Sequence, residues 1–522
     1  MVVHVSEAAL DWALVHAENY GDTDVFPVPF EFKAIRHSWD EIKPILLLQD
    51  LDTRQVKEHR RYIAPKGPFA YRIVTQIDPI DFLFYSALIY EIGHDLENSR
   101  TPISEEIVHS SRFNPDENGR MYDRDYGYST FMQKCRELVE EDECHYVVVT
   151  DIADFYPRIY LHRIEAALST ATQRVEISRA IKKFLKGWHD SVSYGIPVGS
   201  AASRLLAEIT IDDIDRYLLS DDTNYCRYSD DFRIFCTSKH EAYYRLETLS
   251  NLLFENHGLF LQPGKTKILD KEQFIEGYLQ SHLSNELNNL RERFGDIIDR
   301  LGIEDPYEEL DYEDFPEELK EEIDALNLGE MLKDQLQADQ IDMSMFKFLL
   351  RRLGQINRSV EVTRIFRNID KCYHLVPPIV SYLKTLKAHG RSLDRYTDAV
   401  VELLFHSQSC QLPFNQLWWL SLAADNILNI PLPRLMEMNR TNTHPAVKRK
   451  LILSLGRASH TAWFRREKNN ALTFDPWSKR AFIAAASCMA TDEVTTWHNT
   501  IRRRLDETGN AIITWVRDNP FR

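Results

Sequence analysis

The hydrophobic positions of the chain keep one rhythm in its middle and another towards its end. Residues 145–282 alternate β-branched apolar runs with amphipathic helical stretches, which predicts a sheet carrying helices. Tyr146 to Thr150 (YVVVT) is a short continuous apolar run, the pattern of a buried central strand, and it ends at Asp151. Pro157 then opens the helix-like RIYLHRIEAAL. In SYGIPVGSAASRLLAEITIDDIDRYLL (193–219), Gly195, Pro197 and Gly199 make a tight loop and Ser200 is a candidate N-cap. Leu205, Ile209 and Ile214 share the apolar face of the helix that follows. Residues 225–236, YCRYSDDFRIFC, are two β-rich arms that meet at Ser-Asp-Asp, which predicts a hairpin with two acids at its turn. After about residue 342 the strand signal stops. MFKFLLRRLGQI, PPIVSYLKTLKAHG, AVKRKLILSLGRA and WSKRAFIAAASCMA all have helical period and short breaks between them. Successive helix pairs of this kind fit a HEAT-like α-solenoid; no strict repeat period is visible, so an irregular helical bundle is the alternative.

Composition narrows the class. At 522 residues the chain exceeds one core, and 43% hydrophobic with 27% charged residues is an ordinary globular balance. The N-terminal MVVHVSEAALDWALVHAENYGD has acids where a signal peptide has bases, and no apolar run approaches the ~20 residues of a membrane span. Seven scattered cysteines without a CxxC pair argue against a disulfide framework or a zinc site, and a reducing, cytoplasmic setting is expected. A net charge of −17 argues against a protein that coats long nucleic acid. That charge is uneven: residues 342–522 hold 27 Lys and Arg against 15 Asp and Glu, a net +12. Between Glu304 and Asp324 there are twelve acids and one Lys, expected as a solvated linker or excursion. The expected division is an N-terminal region at 1–140, the mixed strand and helix region at 141–282, an acidic linker or excursion at 283–341 and a basic helical domain at 342–522.

Adjacent carboxylates repel, and a purely structural hairpin prefers Asn-Gly or Asp-Gly, so a cation is expected over Asp230 and Asp231. Singly, each feature has a plain account: a solvated turn, an Asp capping a loop, small residues that pack. In order, a strand-end Asp, a Gly-Pro-Gly loop entering a helix and an Asp-Asp hairpin are the arrangement of a polymerase palm. The region from about residue 60 to 282 resembles reverse transcriptases. DIADFYPRI is similar to their motif A, GIPVGSAAS to motif B, YSDD (228–231) to the YxDD of motif C, and HGLFLQPGKTKIL (257–269) to motif D. The resemblance implies an α+β right-hand fingers–palm fold, followed here by the all-α HEAT-like domain in place of a usual thumb. It implies nucleotidyl transfer with two Mg²⁺ ions, or Mn²⁺, held by Asp151, Asp230, Asp231 and the carbonyl of Ile152. It also implies nucleotide contacts from Arg72, Lys66, Phe155, Tyr156, Gly199, Ser200 and Lys265, with Lys267 as the alternative to Lys265 and Tyr156 as a steric gate against ribose.

The chain departs from templated members at two places. Val198 stands where they have a Gln that seats the template, and Arg204 where they have a Pro. With the helical domain behind it, this variant palm resembles the abortive-infection (Abi) reverse transcriptases, the prophage-encoded branch above all. YRIVTQIDPIDFLFYSALIYEIGHDLENSR is similar to their fingers. That resemblance implies bacterial anti-phage defence, template-independent synthesis of single-stranded DNA from dNTPs, priming from a protein hydroxyl with covalent attachment of the product, and homo-oligomers. A templated enzyme working with a dedicated RNA, a nucleotide cyclase and a non-catalytic scaffold are the competitors; RYSDDF lacks the Gly-Gly of a cyclase hairpin. The basic third offers a path for the product strand at Lys448, Arg449 and Lys450, at Arg465 and Arg466, and at Arg502, Arg503 and Arg504, with Trp463, Phe464 and Trp497 nearby to stack on bases.

Overall fold

The computed structural model describes residues 2–21, 25–189, 192–279, 316–407 and 409–521, with 289, 290, 293, 294 and 297 between them. The chain divides into two compact units: Met1–Tyr62 with Ile73–Ser284, and Ile63–Arg72 with Asn285–Arg522. A two-stranded hairpin, β1 (Arg60–Gly67) and β2 (Ala70–Gln76), is shared between them.

The first unit is built on a four-stranded antiparallel sheet of β3 (Tyr146–Asp151), β4 (Tyr225–Tyr228), β5 (Asp231–Cys236) and β6 (Lys267–Asp270), in the order β4-β5-β3-β6. The apolar run of β3 is explained by its place inside this order, with both neighbours paired and Val147 to Val149 buried. Val147 and Val149 join Phe131, Cys135, Leu138, Phe235 and Phe274 in one apolar cluster under the Tyr128–Glu140 helix. The Lys239–Leu252 helix packs against β3 and β5. Beside the sheet, the Pro79–Ser99 helix is buried on most of its circumference by the Glu7–Tyr20, Leu161–Ala171, Val175–Gly187 and Ala201–Thr210 helices. It starts where Asp78 accepts from Ile80 N–H at 3.0 Å, with Pro79 at the position that needs no donor.

In the second unit every described residue after 341 is helical or in a short connection. The helices Met343–Gln355, Val376–Ala388, Pro413–Ala424, Pro445–Arg457, Pro476–Ala485 and Glu507–Asp518 pack each on the next, and shorter helices alternate with them in sequence. Pro413–Ala424 is buried on every face from Phe414 onward, as a helix inside a continuous core must be. Proline opens several of these helices because the first turn has no use for its missing N–H. The segment expected as an acidic linker is structured in its second half: Glu317–Ala325 and Leu328–Gln337 are helices that bury Leu319, Ile323, Leu328, Leu332 and Leu336. The acids face outward there, and the leucines at helical spacing decide the structure. Residues 304–315 lie outside the described residues. Among the described residues, no helix is long and apolar enough to cross a membrane.

Candidate functional site

The acids of the site come together through strand register. β3 and β5 pair so that Asp151 lies opposite Asp231, and the N–H of Ile152 donates to the carbonyl of Asp230 at 3.0 Å. Three carboxylates therefore share one end of the sheet. The turn between β4 and β5 places Ser229 at φ 57°, a left-handed conformation that a hairpin turn of this tightness needs.

Two cations of the chain itself stand on these acids. Lys265 Nζ donates to Asp151 Oδ2 at 2.6 Å, and Arg233 forks onto Asp231 at 2.6 and 3.1 Å. The two differ in freedom. The Lys265 side chain is 51% exposed, whereas Arg233 is 5% exposed and lies over the rings of Phe131 and Tyr278. Solvent therefore competes for the first pair far more than for the second. The motif D segment is fastened along β3 by Gln262 N–H to Asp151 O (2.7 Å), Ala153 N–H to Phe260 O (2.8 Å) and a Thr150–Thr266 hydroxyl pair (2.8 Å). Lys265 is thereby held beside the acids. Lys267 is exposed at the start of β6, opposite Val149.

Phe155 is buried and Tyr156 half-buried in the short Phe155–Arg158 helix, whose N-cap Asp154 is left-handed at φ 49°. The Tyr156 hydroxyl lies 3.3 Å from Ser229 Oγ, and burial pushes its pKa up. The motif B loop is pinned to motif A by Ile196 N–H to Tyr156 O (3.0 Å) and Gly195 N–H to Ile159 O (2.7 Å). Gly195 and Gly199 have φ of 94° and 103°, so the loop requires glycine at both. Ser200 occupies the N-cap of the Ala201–Thr210 helix, but its buried hydroxyl makes no capping bond, and Oγ has no partner among the described residues. Arg72 and Lys66 are exposed on the β1–β2 hairpin, in the Ile63–Arg72 stretch that groups with the second unit; there the Tyr373 hydroxyl donates to Pro68 O.

Arg227, Glu208 and Asp215 were not singled out by the sequence reading. Arg227 is fully buried in β4, forks onto Asp215 (Nη2 to Oδ2, 2.6 Å) and reaches Glu208 (2.7 Å). Glu208 also takes Arg100 at 3.2 Å. The signal was an arginine inside an apolar β arm, YCRY, which a buried strand tolerates only with paired acids.

The three basic clusters of the second unit are unlike one another. Arg449 and Lys450 are buried, with Arg449 stacked on Trp477 at 4.9 Å, and Lys448 caps Asn439 O. Arg465 pairs with Glu493 at 2.8 Å and Arg466 with Glu467 at 3.0 Å, while Arg503 and Arg504 are exposed beside a half-buried Arg502. The expected stacking partners are a correction: Trp463, Phe464 and Trp497 are buried around Phe482 and present no face to a base. Their spacing serves the helix core.

Among the described residues no group of three His, Cys, Asp or Glu side chains stands in ligating geometry. The donor set nevertheless suits hard divalent cations: carboxylates at one sheet end, one of them bound, among the described residues, by the half-exposed ammonium of Lys265.

Residues 102–279 match the family described as reverse transcriptase (RNA-dependent DNA polymerase). The chain therefore carries a reverse-transcriptase-like nucleotidyltransferase domain, and motifs A to D of the geometry above lie inside it. No curated protein matches the chain. Among solved structures, apo telomerase from Candida tropicalis is similar at 9% identity and a TM-score of 0.33, over 70% of this chain and 69% of that one. Telomerase from Candida albicans in complex with a TWJ fragment of telomeric RNA is similar at 10% identity and a TM-score of 0.30, over 80% and 72%. Likeness at that level adds nothing to the family match.

Proposed function

We propose that the chain is a DNA-synthesising polymerase that joins dNTPs by two-metal nucleotidyl transfer at Asp151, Asp230 and Asp231. The observation that carries this reading is the cross-strand placement of Asp151 against Asp231, with Asp230 on the adjoining turn and Lys265 on Asp151. Asp151, Asp230 and the Ile152 carbonyl would hold two Mg²⁺, or Mn²⁺, which would activate the attacking hydroxyl and stabilise the leaving pyrophosphate. Asp231, engaged on both oxygens by Arg233, would be the peripheral ligand. Lys265, released from Asp151, is a proton source for the leaving group, and Gly199 and Ser200 face the nucleotide or primer end. Arg72 and Lys66 are proposed to hold the triphosphate.

The finer reading is that of an Abi-class enzyme, prophage-encoded, acting in the bacterial cytoplasm against phage as a homo-oligomer. Synthesis would be template-independent and primed from a protein hydroxyl, leaving single-stranded DNA attached to the chain. Sequence resemblance supports this reading, and Val198 supports it too, since its side chain offers no hydrogen bond to seat a template. A HEAT-like solenoid is the proposed form of the second unit, supported by the stacking of consecutive long helices. The second reading, RNA-directed synthesis with a dedicated RNA, is favoured by the family description; a scaffold with a residual palm is the third. Incubating purified full-length protein with labelled dNTPs and Mg²⁺, without template or primer, separates them. Labelled DNA that migrates with the protein supports the first; product only after adding RNA, the second; none under either condition, the third.

Two further outcomes follow. Tyr156→Val is expected to let ribonucleotides compete with dNTPs, because the ring that would meet a 2′-OH is gone; unchanged sugar preference in a folded variant returns Tyr156 to packing. Arg503→Gln with Arg504→Gln is expected to shorten products and to reduce the salt dependence of strand retention, leaving first addition intact, because these are exposed cations. Unchanged product length removes this cluster from the strand's path.

A further inference from the structure

The turn that presents Asp230 and Asp231 is gripped by both polar backbone atoms of its left-handed residue. Ser229 N–H donates to Ser110 Oγ at 2.8 Å, and Ser229 O accepts from Arg227 Nη1 at 3.1 Å. Both grips end on one carboxylate. Ser110 Oγ donates to Glu208 Oε1 at 2.6 Å, and Arg227 Nη1 donates to Glu208 Oε2 at 2.7 Å. Ser110, Glu208 and Arg227 are all buried, so water does not compete for these bonds. Burial alone would raise the Glu208 pKa, but Arg227 and Arg100 outweigh it and hold the group below the usual carboxylate range. Glu208 belongs to the Ala201–Thr210 helix, which begins at the motif B loop. One side chain thus joins the helix behind the glycine loop to the turn of the acids.

A left-handed, non-glycine residue is strained and persists only where its surroundings enforce it. Ion pairing for stability would need only the fork of Arg227 on Asp215, which lies on the next helix and does not touch the turn. The bonds to Ser229 have another use. We propose that Ser110, Arg227 and Glu208 form a positioning clamp that fixes the Ser229 turn, so that Asp230 is placed for a divalent cation before the cation arrives. The proposal rests on the reading of these acids as metal ligands. None of the three residues touches substrate; they act through Asp230.

Ser110→Ala is the decisive variant, since it removes the grip on Ser229 N–H and leaves Glu208 with both arginines. Tyr225→Phe is its control: it removes a buried bond of the same network, Tyr225 to Asp215 Oδ1 at 2.9 Å, away from the turn. The full chain is titrated with Mn²⁺ and binding is read from loss of the free-ion paramagnetic resonance signal, alongside thermal melting and nucleotide incorporation. Ser110→Ala is expected to weaken Mn²⁺ binding about tenfold, as groups that orient metal ligands commonly do, with a fall in melting temperature comparable to that of Tyr225→Phe. Tyr225→Phe is expected to lower the melting temperature and leave Mn²⁺ binding unchanged. Equal Mn²⁺ binding by Ser110→Ala and wild type, or none by either, overturns the clamp, as does equal weakening by both variants. A wild type that binds Mn²⁺ but adds no nucleotide refutes the polymerase reading and leaves the clamp standing on the binding data.

Discussion

Asp230→Asn is expected to reduce nucleotide incorporation about a thousandfold or more while the protein melts close to wild type. An amide is nearly isosteric with the carboxylate but a poor ligand for a hard divalent ion, and metal stabilisation of transition-state charge is worth several kcal/mol. The structure makes the single variant cleaner than the double Asp230→Asn, Asp231→Asn. Asp231 is the counter-ion of a buried arginine, forked by Arg233 at 2.6 and 3.1 Å, so Asp231→Asn removes stability as well as activity, by about 1–2 kcal/mol. Asp151→Asn has a third signature. It releases Lys265 from its 2.6 Å bond, and since that ammonium is half-exposed the loss in stability is small while the loss in activity is full. Incorporation of labelled dNTP by the three variants, with melting curves beside it, gives the pattern. Activity within tenfold of wild type for Asp230→Asn in a folded protein removes the metal assignment.

The strands of the site were legible because their chemistry is local. YVVVT ending in Asp151, and YCRY and FRIFC meeting at Ser-Asp-Asp, announce β3, β4 and β5 through apolar runs and a turn, and motif order shows which carboxylates belong together. Register was not legible: nothing in either strand says that Asp151 lies opposite Asp231 rather than one residue away, because pairing is decided by the tertiary fit of both faces. β6 was missed for a related reason, as KILD is too short to show a period. Of the two acids at the turn, Asp231 carries a cation of the chain itself, Arg233, while Lys265 stands on Asp151 across the strand pair. In the second unit the helical period was plain, but its direction was not. Trp463, Phe464 and Trp497 beside arginines look like a stacking surface in sequence, yet at helical spacing the rings point to the core and only the cations reach the surface.

Arg227→Met is expected to be the most destabilising substitution in the first unit, by about 3–5 kcal/mol, because it strands buried Asp215 and takes one of two arginines from buried Glu208. Arg227 forks onto Asp215 with bonds of 2.6 to 3.0 Å and reaches Glu208 at 2.7 Å, and both acids are buried with it. Arg100 remains on Glu208, but among the described residues Asp215 keeps only the hydroxyl of Tyr225. The pH dependence identifies the cause. In the wild type, His16 and His498 are each held neutral by burial, with pKa lowered to about 4. At these two sites the unfolded chain binds protons below pH 6.5 that the folded chain refuses, so they lower stability from about pH 6.5 towards 4, while buried Asp81, with its pKa raised to about 6, acts in the opposite sense. In the wild type burial already holds the Asp215 pKa above the usual carboxylate range; in Arg227→Met it loses the cation that favours its charged form and rises further, and Glu208 loses one of the two arginines that hold it down. The folded variant then takes up protons before the unfolded chain does, and acidification relieves its deficit. The gap in unfolding free energy between wild type and variant is therefore expected to narrow as pH drops from 7 to 5, measured by urea unfolding at each pH. A gap that stays constant over that range means that lost packing, not stranded charge, is what Arg227 prevents.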